Sequence, residues 1–472
     1  MAKRWVARWS PTRPGEKGSY QEVLRVRGRN SIESLPWHLP PSKSHAIRLL
    51  ALAAQSNDAT VLNNMANAGQ DVVSMRRCLG QMGVVFEDLD ATGEVLPRAQ
   101  NNDDQPHGAA VAWRVHGVGP HGLRPPTSVL HAGNSGTALR ILMALVAQFS
   151  VPVMLDGDAS LRSRSYTTML RSLQRLGVTV SFGVEHERLP VVLQGPVSSP
   201  GPLQLDATAS SQPTTAWCLA APGLPGPIHL QLEGEAVSRR HAELTRTLCK
   251  ATGSSDFEDG RLVPWEPRFS QGSFDVPPDC SMLAFAFLAT KVHGCDVHIA
   301  ELPLAGDSLG HEVLFTYAAA LGVKVDGSVL SPDEGSAPVT MDLRDANDLI
   351  TPLAAMMGLG RGGTVSGAAH AANKETNRLS GTQRFLAQFG IDCTPSTEGL
   401  VVPGGQSLRT PVDVVETFGD HRMQLTALVL ASALEATTLV NGPRLHRVAD
   451  PAAVERLKTC GVAIDANLHA GW

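Results

Sequence analysis

The sequence is poor in most of the residues that announce a binding surface or a staple. Aromatic residues are 5% of 472, with only three tyrosines, too few for a base-stacking platform. Cys78, Cys218, Cys249, Cys280, Cys295, Cys393 and Cys460 are odd in number and scattered, and never form C-x-x-C. A disulfide framework and a zinc site are therefore not expected, and no other metal or cofactor is. There is no basic excess either: 40 Lys+Arg against 45 Asp+Glu gives 40 − 45 = −5. That balance argues against a nucleic-acid binder, though not against a local pocket for a small anion. No apolar run is long enough to span a membrane, and the opening MAKRWVARWSPTRPGEKG lacks an apolar signal-peptide core. A soluble, cytoplasmic chain without a membrane or nucleic-acid partner is expected.

What is present is apolar mass: 43% hydrophobic residues with 18% charged. At about 150 residues per domain the length predicts two to four domains. A pattern recurs six times, a Leu-rich helix ending in glycine and followed by a β-prone run. The glycines are Gly83, Gly177, Gly253, Gly322, Gly390 and Gly461, each placed to end its helix in the left-handed conformation. A second pattern interleaves with it. Small polar residues open helices that are apolar nearly all round, starting near Ser42, Asn134, Ser210, Asp279, Asn347 and Gly419. Helices of that kind belong between layers. Six units predict an α/β (α+β) chain of two similar domains with three units each. The boundaries fall at 42–276 for one domain and 1–41 plus 277–472 for the other, with crossings near Pro41 and Pro277.

The chemistry gathers at the starts of the buried helices, where free N–H groups and the positive end of the macrodipole favour anions. Lys43, Ser44 and Arg48 share the first opening turns. Gly133 and Gly136 bracket Asn134, with Thr137 and Arg140 following. Arg162 and Arg164 sit in a Ser-rich turn suited to oxyanion binding. Ser210, Ser211 and Gln212 offer hydroxyls and an amide, and Ser238, Arg239, Arg240 and His241 follow. Asp348 opens a buried helix and is either an N-cap or a functional base. Lys374 and Arg378 are spaced to share one helical face, with Glu375 between them. Asp420, His421 and Arg422 open another apolar helix, and His446 and Arg447 come last.

In this order the motifs S-K-S, G-N-S-G-T-A-x-R, S-S-Q, K-E-T-x-R and G-D-H-R-M resemble the 5-enolpyruvylshikimate-3-phosphate synthase (3-phosphoshikimate 1-carboxyvinyltransferase) family. The resemblance runs from about Pro41 to Leu457, and the wording is most similar to the family's bacterial second class. It implies two domains, each of three β-α-β-α-β-β units, with the active site in the cleft between them. It implies transfer of the enolpyruvyl group of phosphoenolpyruvate to the 5-hydroxyl of shikimate 3-phosphate, with release of phosphate and no cofactor or metal. Carried over by position, Asp348 is the general base, Glu375 protonates the methylene carbon, and Lys43 assists. The phosphoenolpyruvate side is implied to be Lys43, Asn134, Gly136, Arg164, Gln212, Arg378, Arg422 and Arg447. The acceptor side is implied to be Ser44, Arg48, Ser210, Ser211, Gln212, Ser238, Asp348, His370 and Lys374. The partners are then phosphoenolpyruvate and a phosphorylated cyclitol, and the expected state is a monomer.

Some positions depart from the family pattern. Asn347 replaces a Pro before the catalytic Asp, His370 an Asn, Asn377 an Asp and Arg447 a Lys; the last keeps charge but not shape. Ser165 follows Arg164 in place of a Pro, and Asn373 stands in a segment that has lost an Arg. Acid, base and most cations remain. A relative acting on another cyclitol or sugar phosphate is the second reading, and a non-catalytic binding relative the third. The relative acting on a UDP-linked amino sugar is disfavoured, because its reactive Cys loop reads GDASLRSR here.

Overall fold

The computed structural model describes residues 20–28, 32–97, 105–183, 185–198, 202–255, 257, 259–307, 309–335 and 337–470. The N-terminal stretch read for a signal peptide lies outside them. The six glycines that the repeat predicts as helix stops all have positive φ, from 77° at Gly390 to 101° at Gly253. A Cβ is disfavoured in that conformation, so the position both ends the helix and redirects the chain.

The six apolar helices form where their small polar starts predict. They are Lys43–Ala54, Gly136–Val146, Gln212–Ala220, Cys280–His293, Ile350–Leu359 and His421–Ser432. Ser42, Ser135, Asp279 and Asp420 cap four of them through the side chain. Beside them lie six sheets of three or four strands. Ser34–Trp37, for example, runs parallel to Asp296–Ile299, which continues antiparallel through Val329–Pro332 to Val323–Asp326. The same order, one parallel pair and then antiparallel neighbours, recurs from Ala59–Asn63, Val153–Asp156, Ile228–Glu233 and Gly362–Ser366.

Two hydrophobic cores result. One gathers residues from Ala46 to Val276, the other Leu24 to Trp37 together with Cys280 to Ile464. The two passages between these halves run side by side. Ser42 N–H donates to Pro277 O at 2.8 Å and Asp279 N–H to Pro40 O at 2.9 Å. A second junction lies between residues 235–239 and 344–347. Arg239 pairs with Asp345 at 2.8 Å, Arg344 with Glu235, and Ser238 N–H donates to Arg344 O at 3.2 Å. Among the described residues no helix is long and apolar enough to cross a membrane.

Burial of neutral imidazoles gives the fold an acid limit. Burial and then Arg48 push His45 down to about 3, and burial and then Arg447 push His446 down to about 4. Both values lie below the ordinary 6.5, so between pH 6.5 and about 4 the unfolded chain binds more protons than the native one. Stability is whole above pH 6.5 and is lost as pH falls, each group contributing up to about 1.4 kcal/mol per pH unit. The urea midpoint should fall between pH 7 and pH 5, and more gently in His446→Gln. An unchanged midpoint over that range would contradict the account.

Candidate active site

All six buried helices point their starts at one region between the halves. Lys43 and Ser44, Asn134 and Gly136, Ser210 to Gln212, Asp348, and His421 and Arg422 line a narrow cavity of about 70 Å³. The remaining helix reaches it through its cap. Asp279 accepts from Lys43 N–H at 3.0 Å, and Ser281 Oγ meets Arg422 Nη2 at 3.2 Å. Six lining residues are cationic (Lys43, Arg48, Arg164, Lys374, Arg378, Arg422) and three are carboxylates (Asp71, Asp348, Glu375). The balance is 6 − 3 = +3, in a chain whose net charge is −5, so the positive charge is concentrated here.

Arg378 is the centre of the arrangement. It is 1% exposed, and each arm of its guanidinium holds a different carboxylate. Nε reaches Asp420 Oδ2 at 2.9 Å, Nη1 reaches Asp348 Oδ1 at 2.5 Å, and Nη2 reaches Glu375 Oε2 at 2.6 Å. Asp348 Oδ2 is taken by Arg422 Nη2 at 2.9 Å, and Glu375 Oε1 lies 3.3 Å from Arg164 Nη2. Lys43 Nζ pairs with Asp71 at 3.0 Å. Several donors around this network are buried without a partner, namely Arg422 Nε and Nη1 and Arg164 Nε. Buried donors of charged groups are costly to leave unpaired, and a cluster of them suits an anion. Gly136 keeps the approach open, since a Cβ there would meet Arg164 Nη1 at 3.0 Å and Arg140 Nη1 at 3.3 Å.

Electrostatics set the charge states of these groups. Burial pushes Asp348 upward, but Arg422, Arg378, Lys374 and Lys43 outweigh it and hold the carboxyl well below its usual range. Glu375 is likewise pushed up by burial and drawn well below its usual value by Arg378 and Arg164. Both are carboxylates. Burial lowers Lys374, which has no hydrogen-bond or ion-pair partner among the described residues. Burial, with Lys43 next, drives His421 well below 6.5, and both its ring nitrogens are unpartnered.

A wider cavity of about 520 Å³ adjoins the narrow one and is lined by Arg140, Arg164, Ser210, Ser238, His370, Lys374 and Glu375, among others. Ser211 is buried and lines the narrow cavity, and Gln212 is held by Arg140 at 2.6 Å and Thr137 at 3.1 Å. Arg48 lines the narrow cavity, yet its guanidinium is taken up by Thr245 Oγ1 at 2.8 Å, Ser44 O at 2.8 Å, His241 O at 3.2 Å and Thr215 Oγ1 at 3.3 Å. It ties helices together at the site's edge.

Several expectations need correcting. Arg447 is exposed and lines neither cavity, because it sits on a short 3-10 turn, Leu445–Val448, facing outward. Lys374 and Arg378 do not share a helical face. The helix begins only at Arg378, capped by Asn377, so Lys374 and Glu375 lie on the turn before it. Asp348 is no N-cap: it lies in the 3-10 turn Asn347–Leu349, and its oxygens go to arginines. Arg162 turns away to pair with Asp156. Asn377 caps Leu379 and Ser380 N–H groups as an Asp would, so that departure costs the helix nothing visible.

Sequence reasoning missed Asp71 and the second role of Asp420. Asp71 stands in the first turn of the Gln70–Gln81 helix, and nothing local links it to Lys43. Asp420 was readable as a cap, which it is, accepting from Arg422 N–H at 2.9 Å, but its bond to Arg378 was not.

This architecture is the enolpyruvyl transferase fold. The chain matches the crystal structure of the enolpyruvyl transferase NikO from Streptomyces tendae with a TM-score of 0.67 at 15% identity, over 96% of this chain and 100% of that one. It matches EPSP synthase from Acinetobacter baumannii with a TM-score of 0.70 at 22% identity, over 94% and 100%. At the sequence level, the family model described as EPSP synthase (3-phosphoshikimate 1-carboxyvinyltransferase) matches residues 37–457. The chain belongs to that family. Among curated relatives named 3-phosphoshikimate 1-carboxyvinyltransferase, that of Methanocorpusculum labreanum is 28% identical over 432 residues, covering 90% of this chain and 95% of the relative. That of Bradyrhizobium diazoefficiens is 28% identical over 451 residues, covering 90% and 89%.

Asp420 tests the network. Asp420→Ala removes a helix cap and leaves Arg378 with an uncompensated buried charge, which should cost about 3–5 kcal/mol of unfolding free energy. Asp420→Asn keeps the cap and should cost less. Denaturant unfolding of both variants reads the difference, and equal small losses would show that Arg378 does not depend on this carboxylate.

Proposed function

We propose that the chain transfers the enolpyruvyl group of phosphoenolpyruvate to the 5-hydroxyl of shikimate 3-phosphate and releases phosphate. The observation that carries this reading is the Arg378 fork. It holds two carboxylates of different surroundings, Asp348 and Glu375, on the wall of a cavity with unpaired arginine donors. The two halves act as domains that meet around the substrates, one supplying Lys43, Asn134, Gly136 and Arg164, the other Asp348, Glu375, Arg378 and Arg422.

Phosphoenolpyruvate carries a carboxylate and a phosphate. The free donors of Arg422 and Arg164, with Lys43, suit these, and Asn134 and Gly136 stand beside them. The acceptor's phosphate suits Lys374, Ser210, Ser211 and Ser238, the first of which makes no ion pair among the described residues. Ser44, Arg48 and Gln212 close the acceptor end.

In the addition step Asp348 takes the proton of the acceptor hydroxyl, the oxygen bonds to C2 of phosphoenolpyruvate, and C3 receives a proton from Glu375. In the elimination step C3 returns its proton to Glu375, the C2–O bond breaks with its electron pair leaving on phosphate, and the proton held by Asp348 departs with that phosphate. Asp348 is suited to the base role because two arginines keep it ionised. Glu375 needs a proton first. Bound phosphoenolpyruvate supplies the reason, because its negative groups compete for Arg378 and Arg164 and add repulsion. Both effects raise the carboxyl toward the protonated form. The cationic side chains stabilise the charge that develops on the departing phosphate.

The direct test is phosphate release from phosphoenolpyruvate with shikimate 3-phosphate, set against a panel of other cyclitol phosphates. Asp348→Asn and Glu375→Gln keep side-chain size and should each lower turnover by about 10²–10⁴, with substrate binding largely kept. Near-normal turnover in Asp348→Asn, or a preference for another acceptor in the panel, would overturn the assignment.

A further inference from the structure

Two buried polar side chains, 23 positions apart, meet in space. Asn347 places Nδ2 at 2.7 Å from Nε2 of His370. The same Nδ2 lies 3.4 Å from Ser238 Oγ on the other half of the molecule. All three residues are buried, Asn347 at 2%, His370 at 6% and Ser238 at 7% exposure. Ser238 is held in the left-handed conformation at φ 53°, and its N–H donates to Arg344 O. The trio is a strut across the cleft: Asn347 opens the 3-10 turn that carries Asp348, and His370 stands four positions before Lys374.

We propose that Asn347 is a positioning residue for His370, and that the pair selects the acceptor alcohol. This rests on the reading of the function given above. An amide Nδ2 can only donate, so Nε2 of His370 accepts and the ring's single proton is on Nδ1. Burial and Lys374 push His370 down to about 4, which keeps the ring neutral near pH 7. Nδ1 has no protein partner among the described residues and, unlike Asn347 Oδ1, is not sealed from solvent. His370 lines the wider cavity with Ser238 and Lys374.

The consequence for recognition is specific. An asparagine at position 370 would present both a donor and an acceptor to the ligand. His370, with Nε2 occupied, presents one donor on a flat ring. The acceptor at this point must therefore offer an oxygen lone pair, as a phosphate or ether oxygen or an accepting hydroxyl does. A group that can only donate finds no partner there, and a mismatched buried polar group is what discriminates between ligands most strongly. A buried imidazole nitrogen without a partner is disfavoured, and Asn347 supplies that partner.

Steady-state kinetics with shikimate 3-phosphate and phosphoenolpyruvate, varied separately, test the pair in Asn347→Ala, His370→Asn and the double variant. Asn347→Ala should raise the KM for the acceptor about tenfold and leave kcat and the KM for phosphoenolpyruvate within about twofold. In the His370→Asn background the same change should have little further effect, since its partner is gone. Equal effects of Asn347→Ala in both backgrounds, or a parallel loss in kcat and both KM values, would overturn the proposal. A second readout does not depend on turnover. In ¹⁵N-histidine spectra near pH 7, the signal absent from His370→Asn should report a neutral ring protonated at Nδ1. In Asn347→Asp, which keeps the shape but accepts instead of donating, the proton should move to Nε2 or the ring should become charged. A wild-type ring protonated at Nε2 would sink the idea. If the wild-type protein turns over no shikimate 3-phosphate, the functional reading fails, and the spectra still decide whether Asn347 sets the ring.

Discussion

Much of this molecule depends on a single guanidinium. Arg378 is buried in the second half, with Asp420, Asp348 and Glu375 each on one of its nitrogens. A buried arginine is stable only when its donors are matched, and three separate carboxylates match it without leaving it free. The same bonds tie Asp348 and Glu375 to one group, join them to the helix capped by Asp420, and help hold both carboxyls ionised. A ligand that takes an arm of Arg378 changes the protonation of whatever it displaces.

The architecture explains how so much positive charge can gather in a chain whose net charge is negative. Six apolar helices are buried along their length, so polar residues concentrate at their starts. Those starts already carry unpaired N–H groups and a positive dipole end. Packing three units on each side directs the starts toward one cleft, where the macrodipoles and six Lys and Arg side chains add. The electrostatic cost is offset locally by Asp71, Asp348, Glu375 and Asp420, and the donors left over on Arg422 and Arg164 await an anion. The junction from Glu235 to Arg239 against Arg344 to Asn347 holds the two sides in register, and it carries the Ser238–Asn347–His370 strut.

Local signals were readable in the chain because they arise from short-range backbone energetics. A glycine such as Gly390 after a Leu-rich turn forces the left-handed stop wherever the helix packs. Asp279 and Asp420 bond to N–H groups two residues on whatever their surroundings. Periodicity likewise announced that the helix from Lys43 to Ala54 is buried on all sides. Lys374 and Arg378 show where such reasoning ends. Their spacing fits a helix, yet Asn377 caps the chain between them, and the cap wins because it satisfies two N–H groups at once.

The sequence alone thus determined the six units, the stops and starts of their helices, and the residue types gathered at those starts. Tertiary structure alone decided which of these residues meet. Lys43 finds Asp71, Arg378 finds Asp420, Arg48 is turned inward to Thr215 and Thr245, Arg447 is left outside, and Asn347 finds His370. Each of those pairings joins separate elements of the fold. The energy of such a bond comes from desolvation and geometry at the packed interface, and neither exists until the helices have been laid against one another.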